Sequence, residues 1–163
     1  MDAYSIQTTP PKIGTYWPGQ GGIFVGLGRG HDGGRDFHLI APTDPRAIFT
    51  DRVLGTYGID VKDAISMHNG PANTAALALA GSELCQEIQA LDIEDHKDFY
   101  LMSPADGWLC MANVPELFPK QWHLTSTQVS SGDAYGQSFN YGTTDDLYKK
   151  FKACARALRR SFI

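Results

Sequence analysis

The sequence predicts an α+β domain on three observations. An alternating apolar segment near the start of the chain is followed by turn residues and a second alternating segment, which is typical of a β-hairpin. Helical periodicity appears in the middle of the chain, and short strand-like segments follow it. The 163 residues are enough for one well-buried domain. Helices packed on a largely antiparallel sheet agree with all three observations.

The predicted hairpin lies near the start of the chain. In its first strand, GGIFVGLG, the side chains of Ile23, Val25 and Leu27 share one apolar face. The turn segment RGHDGG follows, and Gly33-Gly34 supplies the positive φ angles that a tight loop needs. The second strand, RDFHLIA, alternates in the same way. We therefore expect an antiparallel pair of strands with one buried face.

Two glycine-rich segments of this region also have an interpretation as ligand loops. Residues 28–33 match the glycine spacing of a dinucleotide-binding loop, but a strand follows where that motif requires a helix, so a turn is favoured. The segment YWPGQGG, residues 16–22, leads into the first strand and is interpreted as an entry turn. We expect Tyr16 and Trp17 to pack over the edge of the core.

Two helices are predicted in the middle of the chain. The first covers residues 74–91, TAALALAGSELCQEIQAL, with Asn73 as its N-cap. The second begins with Ser103 as its cap and Pro104 at its first helical position, and it ends before Pro115. An apolar stripe supports the first helix: Leu77, Leu84, Ile88 and Leu91.

Three short strands are predicted after these helices, and the charge of the last one is distinctive. The strands are QWHLTST, AYGQSFNY and FKACARAL. Alternation in the last strand places Phe151 and three alanines on the core face, and Lys150, Lys152 and Arg156 on a basic outer face. Residues 149–160 are therefore either a contact surface or the solvated side of a sheet strand, and the second interpretation is favoured.

The charge of the whole chain is unevenly distributed. The net charge is −4, yet residues 149–160 hold six of the fourteen Lys and Arg and no acidic residue. The remainder carries eight basic and eighteen acidic side chains, a formal charge of −10. Bulk charge therefore does not favour a nucleic-acid partner.

The sequence predicts neither export nor membrane insertion. The segment MDAYSIQTTPPK lacks the basic and apolar regions of a signal peptide, and no apolar run is long enough to span a bilayer. Cys85, Cys110 and Cys154 are widely spaced, and the first two lie in apolar segments, as buried free thiols do. We expect synthesis in a cytoplasm, under reducing conditions.

No recognisable catalytic or metal-binding motif is present in the sequence. Ser126 and Ser131 lie near His123 and Asp133, but nothing resembles a nucleophile motif. The histidines are not spaced as zinc ligands, and residues 92–98, DIEDHKD, lack the glycine and the alternation of a calcium loop. We therefore predict that the chain is not an enzyme, with no cofactor, no catalytic residue and no metal site.

One polar and aromatic region is a candidate binding surface. It is QWHLTSTQVSSGDAYGQSFNY, in which aromatic rings alternate with amides and hydroxyls. Such side chains combine a large amphipathic contact area with adaptable hydrogen bonds. In the alternative interpretation, the large rings are core and the hydroxyls close turns. The candidate ligand-binding residues are Trp122, His123, Tyr135, Gln137, Asn140, Tyr141 and Lys149.

Five segments, in order, resemble a known family. FYLMSPADGWLCMANVPELF, WHLTSTQ, AYGQSFNYG and KACARALRR are similar to segments of the Lcl carboxyl-terminal domain type, a bacterial and phage family long described as a domain of unknown function. The earlier segment IGTYWPGQGGIFVGLGRG resembles phage-encoded members. The sequence departs from the family pattern at Met102, in place of a proline, and at Leu124, where the strand tryptophan is displaced to Trp122.

The resemblance implies a C-type-lectin-like fold. Two helices would pack on a small, curved, mainly antiparallel sheet with an N-terminal β-hairpin, and the two ends of the domain would meet in that sheet. The domain would cover residues 13–163, after an N-terminal arm of residues 1–12. The adhesin member of the family implies a homotrimer and binding to sulfated polysaccharides through a basic surface. That activity does not transfer readily to an acidic chain.

Two functions follow from the resemblance together with the composition. The first is a non-enzymatic, phage- or prophage-encoded binding module, a virion or tail component that contacts a host protein or glycan and other virion proteins. The alternative is an intracellular phage protein that binds and modulates a host complex, in counter-defence or host takeover. Both are made in the bacterial cytoplasm; the first ends in the virion and the second stays in the host cytoplasm.

Overall fold

A computed structural model describes residues 8–163, and it has the predicted α+β class. Within these residues there are three α-helices and a nine-stranded mixed sheet. The helices are α1 (Gly70–Leu79), α2 (Glu83–Gln89) and α3 (Pro104–Asn113), with short 3₁₀ turns at Pro45–Ala47 and Pro115–Leu117. The strands are β1 (Tyr16–Trp17), β2 (Gly22–Gly28), β3 (Phe37–Pro42), β4 (Ile48–Arg52), β5 (Tyr100–Leu101), β6 (Trp122–Gln128), β7 (Asp133–Ser138), β8 (Thr143–Tyr148) and β9 (Ala153–Phe162). Residues 1–7 of the predicted arm lie outside the described residues.

Strand β9 lies at the centre of the sheet. The strand order is β1-β2-β3-β9-β6-β7-β8, and β4 and β5 also pair with β9. The pairings are antiparallel except that of β6 with β9, where His123 lies opposite Cys154. The sheet is larger than the small sheet that we expected. The additional strands β1, β4 and β8 are short or polar, and they lack the apolar alternation that identifies a strand in a sequence.

The predicted hairpin of β2 and β3 is confirmed, with two differences. In its loop Gly33 has the expected positive φ, 78°, but Gly34 does not, and Asp32 has a positive φ, 53°, in its place. A β-bulge at Gly26, with φ 150°, interrupts the register, and the Asn113 side chain of α3 donates to the Val25 carbonyl there. Because the bulge shifts the alternation, Leu27 does not share the buried face of Val25; it is 60% exposed. The predicted face for Leu27 was therefore wrong.

The entry turn before β2 packs as expected for one of its two aromatic residues. Trp17 is buried and meets the Phe24 ring edge-on, with ring centroids 5.5 Å apart. Tyr16 is 40% exposed, and its hydroxyl donates to the Glu94 carboxylate in the acidic loop 92–98. A hydrogen bond therefore joins the glycine-rich turn to the acidic loop.

The single helix predicted over residues 74–91 is two helices, so the prediction of two helices in all was wrong. Gly81 has φ 103° and breaks the helical path between α1 and α2. Ser82 then begins α2 by accepting a hydrogen bond from the Cys85 amide. The predicted apolar stripe remains despite the break: Leu77, Leu84 and Ile88 are buried and Leu91 is half-buried.

The predicted N-cap of the first helix, Asn73, was also wrong. The cap is Asn69, whose side chain accepts from the Ala72 amide. Asn73 lies inside the helix and is fully buried, where its Nδ2 donates to the Ser66 carbonyl (2.7 Å) and the Thr127 hydroxyl (3.1 Å). This asparagine therefore joins α1 to strand β6, a role that local sequence patterns do not distinguish from capping.

Helix α3 begins as the sequence predicts. Ser103 is the N-cap and Pro104 the first helical residue, and Asp106 completes a capping box by accepting from the Ser103 amide. The carboxylate of Asp106 is buried. It therefore needs a cationic partner, and that partner lies on β9.

The core consists mainly of two groups of buried apolar side chains. The larger contains residues of α1 and α2 with Leu101 and Leu124, and the second contains residues of β2, β3 and α3. Cys85 and Cys110 are buried free thiols, as predicted, and burial raises the pKa of Cys85 to about 11. Within residues 8–163, no helix combines the length and apolar character needed to cross a membrane.

The predicted basic outer face of the last strand was wrong for Arg156. Lys150 and Lys152 are exposed as predicted, although both precede the strand. From Ala153 to Arg159 the strand is buried on both faces, and Arg156 is only 4% exposed. Its guanidinium donates to the carbonyls of Leu117 and Pro42, both at 2.7 Å, and lies over the Phe118 ring. Phe151 precedes the strand and is 41% exposed. The basic residue at this strand position is therefore structural.

Replacing Arg156 tests this structural role. In Arg156→Met, two buried carbonyls lose their donors, so we expect the free energy of unfolding to fall by roughly 2–4 kcal/mol. Urea denaturation measures the loss. Lys152→Met is the matched control, because Lys152 was predicted on the same face and is exposed. Equal losses in the two variants would contradict the role of Arg156.

Candidate functional site

The structure divides the seven predicted binding residues by burial. His123, Gln137 and Lys149 are buried, and Trp122 and Tyr135 are half-buried. Asn140 and Tyr141 are exposed, Tyr141 by 76%. The side chains of His123, Gln137 and Lys149 have hydrogen-bond partners inside the protein. They therefore stabilise the fold and are not available at the surface.

Buried Lys149 and Gln137 each form hydrogen bonds with a part of the chain that is distant in the sequence. The Lys149 ammonium donates to the carbonyls of Thr56 (3.3 Å) and Ile59 (2.9 Å) and to the Gln128 side chain (2.7 Å). The Gln137 amide donates to the Pro104 carbonyl at 2.9 Å. These bonds stabilise the loop after β4 and the start of α3, respectively.

Buried His123 is part of an aromatic cluster. Its ring meets Phe118 and Phe139, with centroid distances of 5.3 and 4.7 Å, and its Nδ1 lies 3.0 Å from the Gln121 carbonyl. Burial, assisted by the charge of Arg156, lowers the pKa of His123 from 6.5 to about 4. The ring is therefore neutral at pH 7 and donates from Nδ1 to the carbonyl.

The remaining predicted residues do not converge on one point. Trp122 lies opposite Ser138 in the β6–β7 pairing, and Tyr135 lies an odd number of residues from Ser138 on the same strand. Because side chains alternate along a strand, Trp122 and Tyr135 project from opposite faces of the sheet. Asn140 and Tyr141 lie in the turn between β7 and β8.

The structure places another group of polar residues around a cleft, at the ends of four elements. The β2–β3 loop, the start of α1, the first turns of α3 and the end of β9 line two adjoining compartments. Their volumes are about 210 and 180 Å³. Four residues line both compartments: Arg29, His31, His68 and Arg160.

Both compartments are lined by polar and apolar groups in similar proportion. The residues that complete the first include Asp32, Arg35, Asn69, Pro71 and Phe162. Those that complete the second include Leu27, Phe37, Ala105, Leu109 and the buried Asp106.

A stacked pair of histidines stands between the compartments. The rings of His31 and His68 are 3.7 Å apart between centroids and nearly parallel, at 15°. Within residues 8–163, neither ring has a hydrogen-bond partner, and neither does the Arg29 guanidinium, which also makes no ion pair there. These groups are therefore available to a ligand.

Arg160 is held from several sides at the back of the cleft. Its Nε donates to the Tyr100 hydroxyl (2.8 Å), and its Nη2 donates to the His68 carbonyl (2.7 Å) and to Asp106 (3.1 Å). The guanidinium lies over the Phe37 ring, 3.9 Å from its centroid. The side chain is 10% exposed, and its Nη1 has no hydrogen-bond partner in the described part of the chain.

Asp106 and Tyr100 hold the Arg160 guanidinium in place. The carboxylate of Asp106 accepts from Arg160 and from the amide and hydroxyl of Ser103. Burial, together with the charge of Asp106, raises the pKa of Tyr100 well above its usual value, so its hydroxyl stays protonated. The geometry of the guanidinium is thus set by buried groups before any ligand binds.

The loop that carries Arg29 and His31 is held in shape by short-range contacts. The Gly30 amide donates to Asp36 at 2.7 Å, and a Cβ at Gly30 would lie 2.1 Å from the Gly34 carbonyl oxygen. Arg35 donates to the Ile163 carbonyl at 2.9 Å. Only glycine fits at position 30, and the loop closes over the end of β9.

The cleft was missed at the sequence level because its members are far apart in the chain. Arg29 and His31 occur in a segment interpreted as a turn, His68 precedes a helix that was predicted to start later, and Arg160 was assigned to a solvated strand. A basic loop, RGHDGGR, with two arginines and a histidine was the one local signal.

The arrangement suits an anionic ligand. Guanidinium groups and histidines donate hydrogen bonds to oxyanions, and such bonds are stronger than neutral ones. In the described part of the chain, no three His, Cys, Asp or Glu side chains are grouped so as to hold a metal ion. A comparison with protein-family models and a comparison with curated proteins give no match to this chain.

The neutral state of His123 predicts a loss of stability in acid. Between pH 6.5 and about 4 the unfolded chain binds a proton at this residue and the folded chain does not, so the free energy of unfolding falls as the pH drops through that window. We expect His123 to lower the free energy of unfolding by about 2–3 kcal/mol at pH 4.5 relative to pH 7.5. In His123→Asn this pH-dependent loss should be absent, as measured by urea denaturation at both pH values. An identical pH dependence in the two proteins would contradict the assignment.

The Asp106–Arg160 pair predicts a second effect on stability. Asp106→Asn leaves the buried guanidinium without its counter-charge, so we expect a loss of about 3 kcal/mol in the free energy of unfolding. Asp32→Asn is the control, since Asp32 is exposed at the rim of the same cleft and its backbone φ of 53° suits asparagine. Thermal and urea unfolding of both variants measure the difference. A stable Asp106→Asn protein would show that the pair is not needed.

Proposed function

We propose that this chain is a non-enzymatic binding module, encoded by a phage or prophage, that contacts a host ligand through the cleft. The single observation that carries the proposal is the group of basic side chains that have no hydrogen-bond partner within residues 8–163, Arg29, His31 and His68, placed beside the buried Arg160. Polar groups of this kind cost little free energy at a protein surface, because water or a ligand forms their hydrogen bonds.

Preorganisation supports a binding role. The back of the cleft is fixed by Tyr100, Asp106 and Phe37, so few side chains there lose freedom when a ligand binds. Lower ordering costs translate into higher affinity. The cleft is also locally basic on a chain with a net charge of −4, and a local field of this kind draws anionic groups to the site.

The proposed scaffold is C-type-lectin-like, of the Lcl carboxyl-terminal domain type. The mainly antiparallel sheet, the early β-hairpin and the helices packed against them agree with this proposal. So does the pairing of the early strand β3 with the late strand β9, where Ile40 lies opposite Arg159. The candidate partners are a host protein or glycan and, in a virion or tail, other virion proteins.

Binding to host cells tests the proposed role of the cleft. Fluorescently labelled protein is incubated with host cells, and Arg29→Glu is compared with the wild type. We expect strongly reduced binding, because the substitution reverses the charge of an exposed side chain that lines the cleft. Lys120→Glu is the matched control, since it makes the same charge change at an exposed residue that does not line the cleft. Equal binding by all three proteins would overturn the proposal.

Purified phage particles separate the virion role from the intracellular alternative. Mass spectrometry of the particles should detect this chain if it is a virion or tail component. Affinity purification from infected cells is the complementary measurement. A stable cytosolic host complex, together with particles that lack the chain, would favour modulation of that complex and contradict the virion role.

A further inference from the structure

We propose that strand β8 is a docking edge, to which an extended segment of a partner protein adds as a further strand of the sheet. The segment carries an apolar residue and, two positions later, a basic residue. No residue of β8 lines either compartment of the cleft, so this surface is a second one. The inference goes beyond the proposed function and does not rest on it.

Strand β8 is the open end of the sheet. It comes last in the strand order, and within residues 8–163 it pairs only with β7. The two strands keep one register from Thr143 to Tyr148, without a bulge. The strand at the other end of the order, β1, has only two residues. An edge strand with six residues in continuous register presents a row of outward backbone groups on which another strand can form.

The register shows which backbone groups of β8 face outward. The Lys149 amide donates to the Gly132 carbonyl at 2.9 Å, one position beyond the last pair of the β7–β8 ladder. Hydrogen-bonded and non-hydrogen-bonded pairs alternate along an antiparallel ladder. The amides and carbonyls of Thr144, Asp146 and Tyr148 therefore point away from β7.

Two of these six backbone groups have local partners. The Asp146 amide donates to the Asp145 carboxylate at 2.8 Å, and the Tyr148 carbonyl accepts from the Phe151 amide at 2.7 Å. For the Thr144 amide and carbonyl, the Asp146 carbonyl and the Tyr148 amide, residues 8–163 provide no partner at this edge. These four groups are the donors and acceptors that an added strand would use.

Exposed aromatic side chains are concentrated at the same edge. Within residues 8–163, seven Phe, Tyr and Trp side chains are exposed, and five of them lie on or beside β8: Tyr57, Trp108, Tyr141, Tyr148 and Phe151. The Trp108 indole donates to the Thr144 hydroxyl at 2.9 Å, which places this ring next to the strand. Aromatic residues are enriched in protein interfaces relative to the rest of the surface. Their distribution therefore favours a protein partner at β8.

An open pocket at the end of β8 suits an apolar side chain. Its volume is about 410 Å³, and it is lined by Tyr57, Tyr148, Lys150 and Phe151. The Lys150 ammonium lies over the Tyr57 ring, 4.0 Å from the centroid. A second cation in the pocket would be repelled by this ammonium. An apolar side chain packed against Tyr148 and Phe151 is instead stabilised by burial.

The charge of β8 favours a basic residue at the centre of the added strand. Asp145 and Asp146 are both exposed in the middle of β8. Opposite charges that face each other across a ladder stabilise it, and like charges destabilise it. In an antiparallel pair of two copies centred on these residues, the carboxylates would face one another. The charge therefore disfavours a second copy of this chain and favours a basic segment of another protein.

Alternation along the strand sets the spacing of the two partner residues. Asp146 and Tyr148 are two positions apart, so their side chains share one face, and the residues opposite them on an added strand are also two positions apart. In an antiparallel pairing, the residue opposite Tyr148 comes first in the partner sequence. The expected pattern is therefore apolar-x-basic, with the apolar side chain in the pocket and the basic side chain beside Asp146.

Selection from a display library of random ten-residue peptides tests the chemistry of the partner. The immobilised full chain should enrich peptides with the apolar-x-basic pattern. An enriched peptide should bind Asp146→Lys about tenfold more weakly than the wild type, as measured by fluorescence anisotropy, because the substitution places like charges opposite each other. Glu116→Lys is the matched control, since it makes the same charge change at an exposed residue outside β8. Failure to enrich this pattern, or equal weakening by the two variants, would overturn the inference.

A second pair of variants tests the pocket. Tyr148→Ser should weaken the enriched peptide several-fold, through loss of apolar contact. Leu79→Ser is its control, because Leu79 is 92% exposed and lies outside β8 and the pocket. Equal affinity of both variants for the peptide would show that the pocket does not take part. All the replaced residues are exposed, and thermal unfolding checks that the variants fold.

Amide hydrogen exchange tests the geometry of binding. A saturating concentration of the enriched peptide should slow exchange at the outward amides of Thr144 and Tyr148. The Asp145 and Leu147 amides are the internal control, because the alternation of the ladder directs them towards β7. Binding without added protection at Thr144 and Tyr148 would show that the peptide does not add as a strand, and would overturn the inference. Protection that rises with the concentration of the free protein would identify a second copy as the occupant, and would overturn the choice of partner.

Discussion

The structure depends on the burial of three arginines in the central strand β9. Arg156, Arg159 and Arg160 occur within five residues of a strand that pairs with four others. Burying a guanidinium group is costly unless most of its donors form hydrogen bonds. Arg156 binds two carbonyls, and Arg159 binds Asp98 and Gln20. The loops that supply these acceptors are thereby fixed relative to the sheet.

Arg160 extends this constraint to the cleft. Its bonds to Tyr100 and Asp106 join β5 and the first turn of α3 to the end of β9, and its bond to the His68 carbonyl positions the start of α1. The same side chain stabilises the junction of these elements, and its Nη1 has no hydrogen-bond partner among residues 8–163. Structural and ligand-binding roles are therefore combined in one residue, which is why the cleft is rigid at its back and open at its rim.

The sequence predicts elements whose signals are local and misses contacts between distant segments. The hairpin of β2 and β3 and the capped start of α3 both follow from alternation or capping residues within a few positions. Alternation alone fails for Arg156, because it does not tell whether the polar face of a strand meets water or another layer. The cleft is missed for the same reason, since residues 29, 68 and 160 meet only in the folded chain.

The position of β9 in the chain has a consequence for how the protein is made. Strands β3, β4, β5 and β6 all pair with residues 153–162, and those residues follow every other strand in the sequence. Synthesis proceeds from the N-terminus, so the earlier strands leave the ribosome before their common partner exists. Pairings across long sequence separations also close slowly. The four earlier strands therefore lack this partner until residues 153–162 have been synthesised, and only then can the ten-residue strand β9 pair with them.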